Sequence, residues 1–104
     1  GEMGILIYLT FQNDGVTSGQ LSEALHVSTG RVASALKSLE KKQLIKRRSD
    51  GEDKRRVNVY ITAKGKQTTL EKHEEAIEQM EKSLQKLGEK DAKIFIELSK
   101  RFFS

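Results

Sequence analysis

Apolar side chains recur at helical spacing along most of the chain, and polar turn signals separate the runs. The first predicted helix covers residues 2–12 and turns three apolar side chains inward, Ile5, Leu6 and Leu9. Beyond a turn at residues 13–15, Thr17 and Gln20 have the spacing of a capping box. This spacing predicts a short second helix that begins directly after Thr17.

A third predicted helix follows a break at Val27 and runs to about Lys42, with Ser28 as its N-cap. Three apolar residues at helical spacing are expected to pack against the first two helices: Val32, Leu36 and Leu39. The opposite side carries small polar and basic residues: Gly30, Ser34, Lys37, Ser38 and Lys41, with Arg31 at the edge. Two short helices joined by a tight turn, the second with an outward polar face, have the geometry of a helix-turn-helix.

Between residues 44 and 61 the helical pattern gives way to strand-like segments. Residues 44–48 and 56–61 are predicted to pair as antiparallel strands, and the polar, Arg-rich loop at residues 50–54 joins them as a wing. Thr62 then caps a long predicted helix that runs to about Leu87, and Gly88 is its candidate left-handed C-cap. The expected fold is mainly α (α+β), a winged helix-turn-helix with a two-stranded β-wing.

The last two predicted helices carry more apolar side chains than a small winged domain covers. The long helix has a seven-residue rhythm at Leu70, Ile77 and Leu84, which suits a partner helix, and a final helix covers about residues 90–103. We predict a winged domain at residues 1–65 and dimerisation helices at residues 66–104. The expected dimer contacts are Leu70, Ile77, Met80, Leu84, Leu87, Phe95, Leu98 and Phe102. The alternative is that these helices pack back onto their own domain.

Positive charge is concentrated in one part of the chain. The 104 residues have a formal net charge of +4, but residues 1–30 contain three acids and no Lys or Arg, whereas residues 31–56 contain ten basic and four acidic residues. This concentration coincides with the third helix and the wing, and such a patch attracts phosphates. A polar helix followed by a basic hairpin also fits a DNA groove and its flanking phosphates, so we predict a DNA-binding domain. The alternative is a solvated basic surface.

The predicted DNA contacts differ in kind. Small residues at the start of the third helix allow close approach to DNA, and the free backbone amides there suit a phosphate. Lysines of this helix are expected to contact phosphates, as are Lys46 and Arg47 if their strand faces DNA, while Arg31 either reads a guanine edge or contacts a phosphate. The set is Ser28, Thr29, Gly30, Arg31, Ser34, Lys37, Ser38, Lys41 and Arg47.

The remaining composition excludes other classes of function. The chain has no cysteine, so it has no disulfide framework and no thiolate zinc site. It lacks a phosphate-binding glycine loop, a nucleophile motif and a His/Cys set with metal-ligand spacing, so we predict no enzymatic activity, no cofactor and no metal. No apolar run reaches the roughly 18 residues that a membrane span requires, and a cytoplasmic protein is expected. His26 is predicted to pack or cap, and His73 to lie on the surface.

Three segments resemble the multiple antibiotic resistance regulator (MarR) family of bacterial transcription factors. These are residues 22–28 entering the third helix, residues 39–48 leading into the wing, and Asp50-x-x-Asp53-x-Arg55 followed by Ile61-Thr-x-x-Gly65. The resemblance covers essentially the whole chain. The family usually has a further helix before the segment with which this sequence starts, and often a proline at the position of Gly51.

The resemblance implies a homodimer that binds pseudo-palindromic operator DNA, often as a repressor released by a small ligand. It also implies that Asp53 and Arg55 of the wing are paired, with the arginine in the minor groove. Together with Lys54 between them, these two residues complete the predicted DNA-binding set, although the family often has an arginine at the position of Lys54. A narrow minor groove has an enhanced negative potential that attracts such a cation. An effector pocket is expected between the winged domain and the dimer helices, near Tyr8 and Phe11. The alternative function is a winged-helix adaptor for protein interaction, without specific DNA binding.

Overall fold

The computed structural model describes residues 1–103, and this part of the chain forms five α-helices and a two-stranded sheet. In chain order the elements are α1 (Glu2–Phe11), α2 (Ser18–Leu25), α3 (Thr29–Lys41), β1 (Ile45–Ser49), β2 (Val57–Ile61), α4 (Ala63–Gln85) and α5 (Glu89–Phe103). The predicted order of helices and strands is confirmed. None of the described helices is long and apolar enough to cross a membrane.

The chain divides into two compact units, Gly1–Leu70 and Glu71–Ser104. The first contains α1 to β2 and the start of α4, and the second contains the rest of α4 and α5. This division concerns compactness alone. The DNA-binding and dimerisation roles of residues 1–65 and 66–104 therefore remain predictions.

The core of the first unit lies between α1, α2, α3 and the sheet. Its buried apolar residues are Ile5, Leu6, Leu9, Val16, Leu21, Val32, Leu36, Leu39, Leu44, Ile45 and Val59. The residues predicted above to face inward from the first and third helices are among them: Ile5, Leu6, Leu9, Val32, Leu36 and Leu39. Removing these side chains from water is the main favourable term in the folding of this unit.

Side-chain caps define the helix-turn-helix. The Thr17 hydroxyl accepts a hydrogen bond from the Gln20 amide at 3.2 Å, and the Gln20 side chain accepts one from the Thr17 amide at 2.8 Å. Ser28 accepts from the Arg31 amide at 3.2 Å, so both predicted caps are confirmed. Between the helices His26 adopts a left-handed conformation with φ of 54° and caps α2, which confirms its predicted capping role.

Strands β1 and β2 pair in a register that sorts their side chains between two faces. Ile45, Arg47 and Ser49 lie opposite Ile61, Val59 and Val57. Because successive side chains of a strand point to opposite faces, this set shares the face of the buried Ile45 and Val59. Lys46 and Arg48 occupy the other face, opposite Tyr60 and Asn58.

Thr62 and Gly65 attach the wing to the start of α4. The Thr62 hydroxyl accepts from the Gly65 amide at 3.0 Å and donates to the Gln43 carbonyl at 2.8 Å. A Cβ atom on Gly65 would overlap the carbonyl oxygen of Leu44 and lie 2.8 Å from Ile61 Cγ1. The spacing Ile61-Thr-x-x-Gly65 thus has a physical reason, since threonine caps the helix and glycine allows it to approach the preceding loop.

The second unit leaves most of its apolar side chains exposed. Helix α4 ends at Gln85, two residues before the predicted end, because Lys86 and Leu87 bond to residues three positions earlier and tighten the last turn. Gly88 follows with φ of +86°, as predicted for a left-handed C-cap. Leu84 is buried. The other large apolar side chains that the structure describes in this unit are exposed: Ile77, Met80, Leu87, Ile94, Phe95, Ile96, Leu98 and Phe102.

Gly65→Ala is expected to destabilise the protein by about 1 to 3 kcal/mol, because the added methyl group overlaps a backbone atom that cannot rotate away. Gly4→Ala is the matched control, since a Cβ atom at Gly4 meets nothing within 4 Å inside α1. The control should stabilise the protein by about 0.5 to 1 kcal/mol. Urea unfolding followed by circular dichroism measures both, and equal effects of the two substitutions would refute this account of Gly65.

Candidate nucleic-acid interface

Helix α3 presents an exposed side that is opposite its buried one. Val32, Leu36 and Leu39 are buried, which sets the rotation of the helix about its axis. The exposed residues of this helix include most of the predicted DNA contacts: Thr29, Gly30, Arg31, Ser34, Lys37 and Lys41, with the N-cap Ser28 also exposed. The structure thus brings small residues and lysines together on one outward side.

Ser38 differs from the other predicted contacts. It is half-buried near the carboxylate of Glu2, which accepts a hydrogen bond from Lys42 Nζ at 2.9 Å. The Ser38 hydroxyl first, and then Lys42, hold the pKa of Glu2 below its ordinary value. The expected contact of Ser38 with DNA remains a prediction.

Arg47 extends from β1 to the last turn of α3, where it pairs with Glu40. Its Nε atom donates to Glu40 Oε2 at 2.9 Å and its Nη2 atom to Oε1 at 3.3 Å. These hydrogen bonds lower the pKa of the Glu40 carboxyl and raise that of the Arg47 guanidinium. The predicted phosphate contact of Arg47 thus has a competitor within the protein. Since Lys46 lies on the other face of the sheet, the two side chains do not face DNA together.

The tip of the wing is a hydrogen-bonded turn and not part of a strand. Asp53 accepts from the Arg56 amide through its carbonyl at 3.0 Å and from the Arg55 amide through its carboxylate at 3.0 Å. The Arg55 Nε atom lies 3.9 Å from the same carboxylate, and the Arg55 side chain is 97% exposed. Asp53 and Arg55 thus lie in the turn between the two strands and not on a strand face. Asp53 holds the Arg55 backbone more closely than its guanidinium.

Carboxylates divide the cations of this surface into paired and unpaired ones. Lys42 and Arg47 have close partners, and Arg55 has a distant one. Within the described residues, the other basic side chains of α3 and the wing have no carboxylate in ion-pair range: Arg31, Lys37, Lys41, Lys46, Arg48, Lys54 and Arg56. Glu2 and Glu40 were not among the predicted residues, and no local signal in the sequence marks them, because each pairs with a residue outside its own element.

A groove of about 770 Å³ lies between the start of α1 and the start of α3. Its lining includes Gly4, Val27, Arg31 and Ala35. Tyr8 and Phe11, which were expected near an effector pocket, do not line it. Among residues 1–103, no group of three or more His, Cys, Asp and Glu could hold a metal ion.

The model of the MarR family matches residues 2–56, which is more than half of the chain. The chain belongs to the MarR family. The matched segment contains all of α1, α2, α3 and β1 and most of the wing. The matched segment therefore includes the exposed helix and the cationic loop described above.

Solved structures agree with this membership. A mutant of MepR from S. aureus is 30% identical, with 97% of this chain and 75% of that chain covered and a TM-score of 0.71. A second MepR mutant, bound to an oligodeoxyribonucleotide, is 31% identical over 98% of this chain and 76% of that chain, with a TM-score of 0.69. FabT from Streptococcus pneumoniae, in complex with DNA, is 25% identical over 98% and 71%, with a TM-score of 0.72. Among curated proteins, none matches the chain.

Membership in the MarR family confirms two predictions. The fold is the winged helix of the MarR structures, and the family consists of transcription regulators and not of enzymes. The roles of individual residues in this MarR-family chain stay predictions.

The pair of Glu40 and Arg47 should contribute a pH-dependent part of the stability. The folded pKa of Glu40 is lowered from its ordinary value of about 4.3, so this contribution is present above about pH 4.3 and is lost as the pH falls through the lower folded value. Glu40→Gln should therefore lower the melting temperature at pH 7, and the difference from the wild type should shrink at pH 3. Thermal unfolding at the two pH values measures this, and a constant difference would contradict it.

Proposed function

We propose that this MarR-family chain binds double-stranded DNA as a homodimer at a pseudo-palindromic operator, as a ligand-responsive repressor in the cytoplasm. The observation that carries the proposal is the division of α3 into a buried apolar side and an exposed side with small and basic residues, next to a cationic wing. The repressor role and the ligand response come from the family resemblance.

The exposed side of α3 suits the major groove. Thr29 and Gly30 are small, so the start of the helix can approach the bases closely, and Gly30 has nothing within 4 Å of the position of a Cβ atom. Lys37 and Lys41 lie further along the same side and can reach phosphates. Phosphate contacts would position the helix, and Arg31 is the candidate for reading a base edge.

The wing suits the adjacent minor groove. Its turn is held by backbone hydrogen bonds, while the Arg55 guanidinium is almost fully exposed and only loosely paired with Asp53. A narrow minor groove has an enhanced negative potential, which attracts an arginine presented on such a turn. Two similar proteins, a MepR mutant and FabT, are bound to DNA in their solved structures, which supports DNA binding by this fold.

The exposed apolar residues of the second unit support the homodimer. Phe102 is 81% exposed, Leu98 56% and Leu87 52%, and large exposed apolar patches mark protein interfaces. Leu84 is the exception among the predicted dimer contacts, since it is 8% exposed and already covered within the single chain. A two-fold dimer would place two α3 helices about 34 Å apart, one turn of DNA, which explains a palindromic site.

Arg55→Ala should weaken DNA binding by about 1 to 3 kcal/mol, because the variant loses the cation proposed for the minor groove. Lys90→Ala is the matched control, since it removes the same charge from an exposed position of α5. Fluorescence anisotropy at fixed salt, on a duplex selected from random DNA, compares the variants. If Arg55→Ala and Lys90→Ala lost the same affinity, the wing would have no specific role in DNA binding. If the wild type bound no duplex at all, the result would favour the alternative function, a winged-helix adaptor for protein interaction.

Leu98→Glu should shift the protein from dimer to monomer, because burying a carboxylate in an apolar interface carries a large desolvation cost. The fold of the monomer should survive, since Leu98 is exposed in the single chain. Sedimentation equilibrium measures the mass, and circular dichroism verifies the helix content. A variant that stays dimeric with an unchanged dissociation constant would place the dimer contact elsewhere.

A further inference from the structure

We propose that Glu40 lowers the affinity of the protein for DNA phosphates by holding the guanidinium of Arg47, and that it thereby raises the share of binding energy that comes from base contacts. The inference rests on the proposed DNA binding. It gives Glu40 the role of a specificity-determining residue that acts through Arg47.

The geometry of the pair occupies the phosphate-binding side of the guanidinium. Two adjacent nitrogens of Arg47 donate to the two carboxylate oxygens of Glu40, at 2.9 and 3.3 Å. A phosphate would bind an arginine through the same kind of paired contact, because both anions offer two oxygens to the planar fork. Carboxylate and phosphate therefore compete for the same nitrogens.

The position of Glu40 on α3 indicates that its carboxylate serves Arg47 and not its own helix. Glu40 lies in the last turn of the helix, where the helix dipole disfavours a negative charge. Local helix energetics thus give no reason for an acid at this position. Glu40 forms its ion pair with Arg47 of β1. It does not pair with Lys41, the next residue, which has no carboxylate within ion-pair distance among the described residues.

The pair is strong enough to withhold the arginine but not to immobilise it. The side chain of Arg47 is 37% exposed and that of Glu40 43%, and solvent screens an ion pair at this exposure strongly. Without Glu40, the guanidinium would be free to bind a phosphate and release a counterion. Phosphate contacts carry no sequence information, so an added one strengthens binding to every duplex.

The test is a salt titration of binding to a random-sequence duplex, measured by fluorescence anisotropy for the wild type and Glu40→Gln. One added phosphate contact should steepen the slope of log K against log salt by about 0.9, and at 0.1 M salt the affinity should rise about fivefold. Glu23→Gln is the matched control, because it removes one exposed carboxylate from α2, for which no ion pair is found among the described residues. The control slope should equal that of the wild type.

A double-mutant cycle shows whether the effect passes through Arg47. In an Arg47→Gln background, Glu40→Gln should leave the salt slope unchanged, since no guanidinium remains to be released. A contribution of Glu40 to structure alone would not produce this dependence. Circular dichroism verifies that each variant is folded. Should Glu40→Gln not fold, Arg47→Lys replaces it, and the weaker single contact with Glu40 should steepen the slope by part of the same amount.

The outcomes separate this inference from the proposed function. A slope for Glu40→Gln equal to that of Glu23→Gln, or a weaker affinity than the wild type, overturns the role of Glu40 while DNA binding stands. If Arg47→Lys is used instead, a salt slope equal to that of the wild type likewise overturns the role of Glu40 and leaves DNA binding intact. Absence of salt-dependent binding in the wild type overturns the proposed function, and the inference with it.

Discussion

The burial of one side of α3 is the constraint on which the rest of the structure depends. Val32, Leu36 and Leu39 are at most 1% exposed and pack among α1, α2 and the sheet. Protein interiors are close-packed, so a helix with three such side chains in the core cannot rotate about its axis without opening cavities. The outward direction of Lys37 and Lys41 is therefore a consequence of the core.

Carboxylates then refine the surface that the core has oriented. Glu2 binds Lys42 beside the start of α1, Glu40 binds Arg47 beside β1, and Asp53 organises the turn of the wing. The first two pairs fasten the end of α3 to its neighbours and remove two cations from the exposed set. The charge available to a phosphate is consequently smaller than the composition of residues 31–56 suggests, and it lies mainly on the outer side of α3 and on the wing.

The wing depends on backbone contacts as much as on its two strands. The Val59 amide donates to the Val16 carbonyl at 2.7 Å, and the Ile61 amide donates to the Asp14 carboxylate at 2.9 Å, so the loop before α2 covers the free edge of β2. Thr62 and Gly65 connect the end of β2 to α4. A short hairpin is marginally stable alone, and these attachments explain how it serves as a fixed element beside α3.

Much of the first unit was predictable from sequence, because its signals act over a few residues. Periodic apolar positions placed Leu36 in the core, and capping residues such as Ser28 located the helix starts within a few positions of the donors they satisfy. The ion pairs of Glu40 and Glu2, by contrast, could not be predicted from the sequence. Their partners stand 7 and 40 positions away on other elements, and only the packing of those elements brings the charges together. The turn at Asp53 likewise depends on where the strands stop pairing.

The sequence by itself determined the family, the helices and the cationic segment, since these follow from local pattern. Tertiary structure alone decided which of those cations remain free, because ion pairing is set by distance in space and not along the chain.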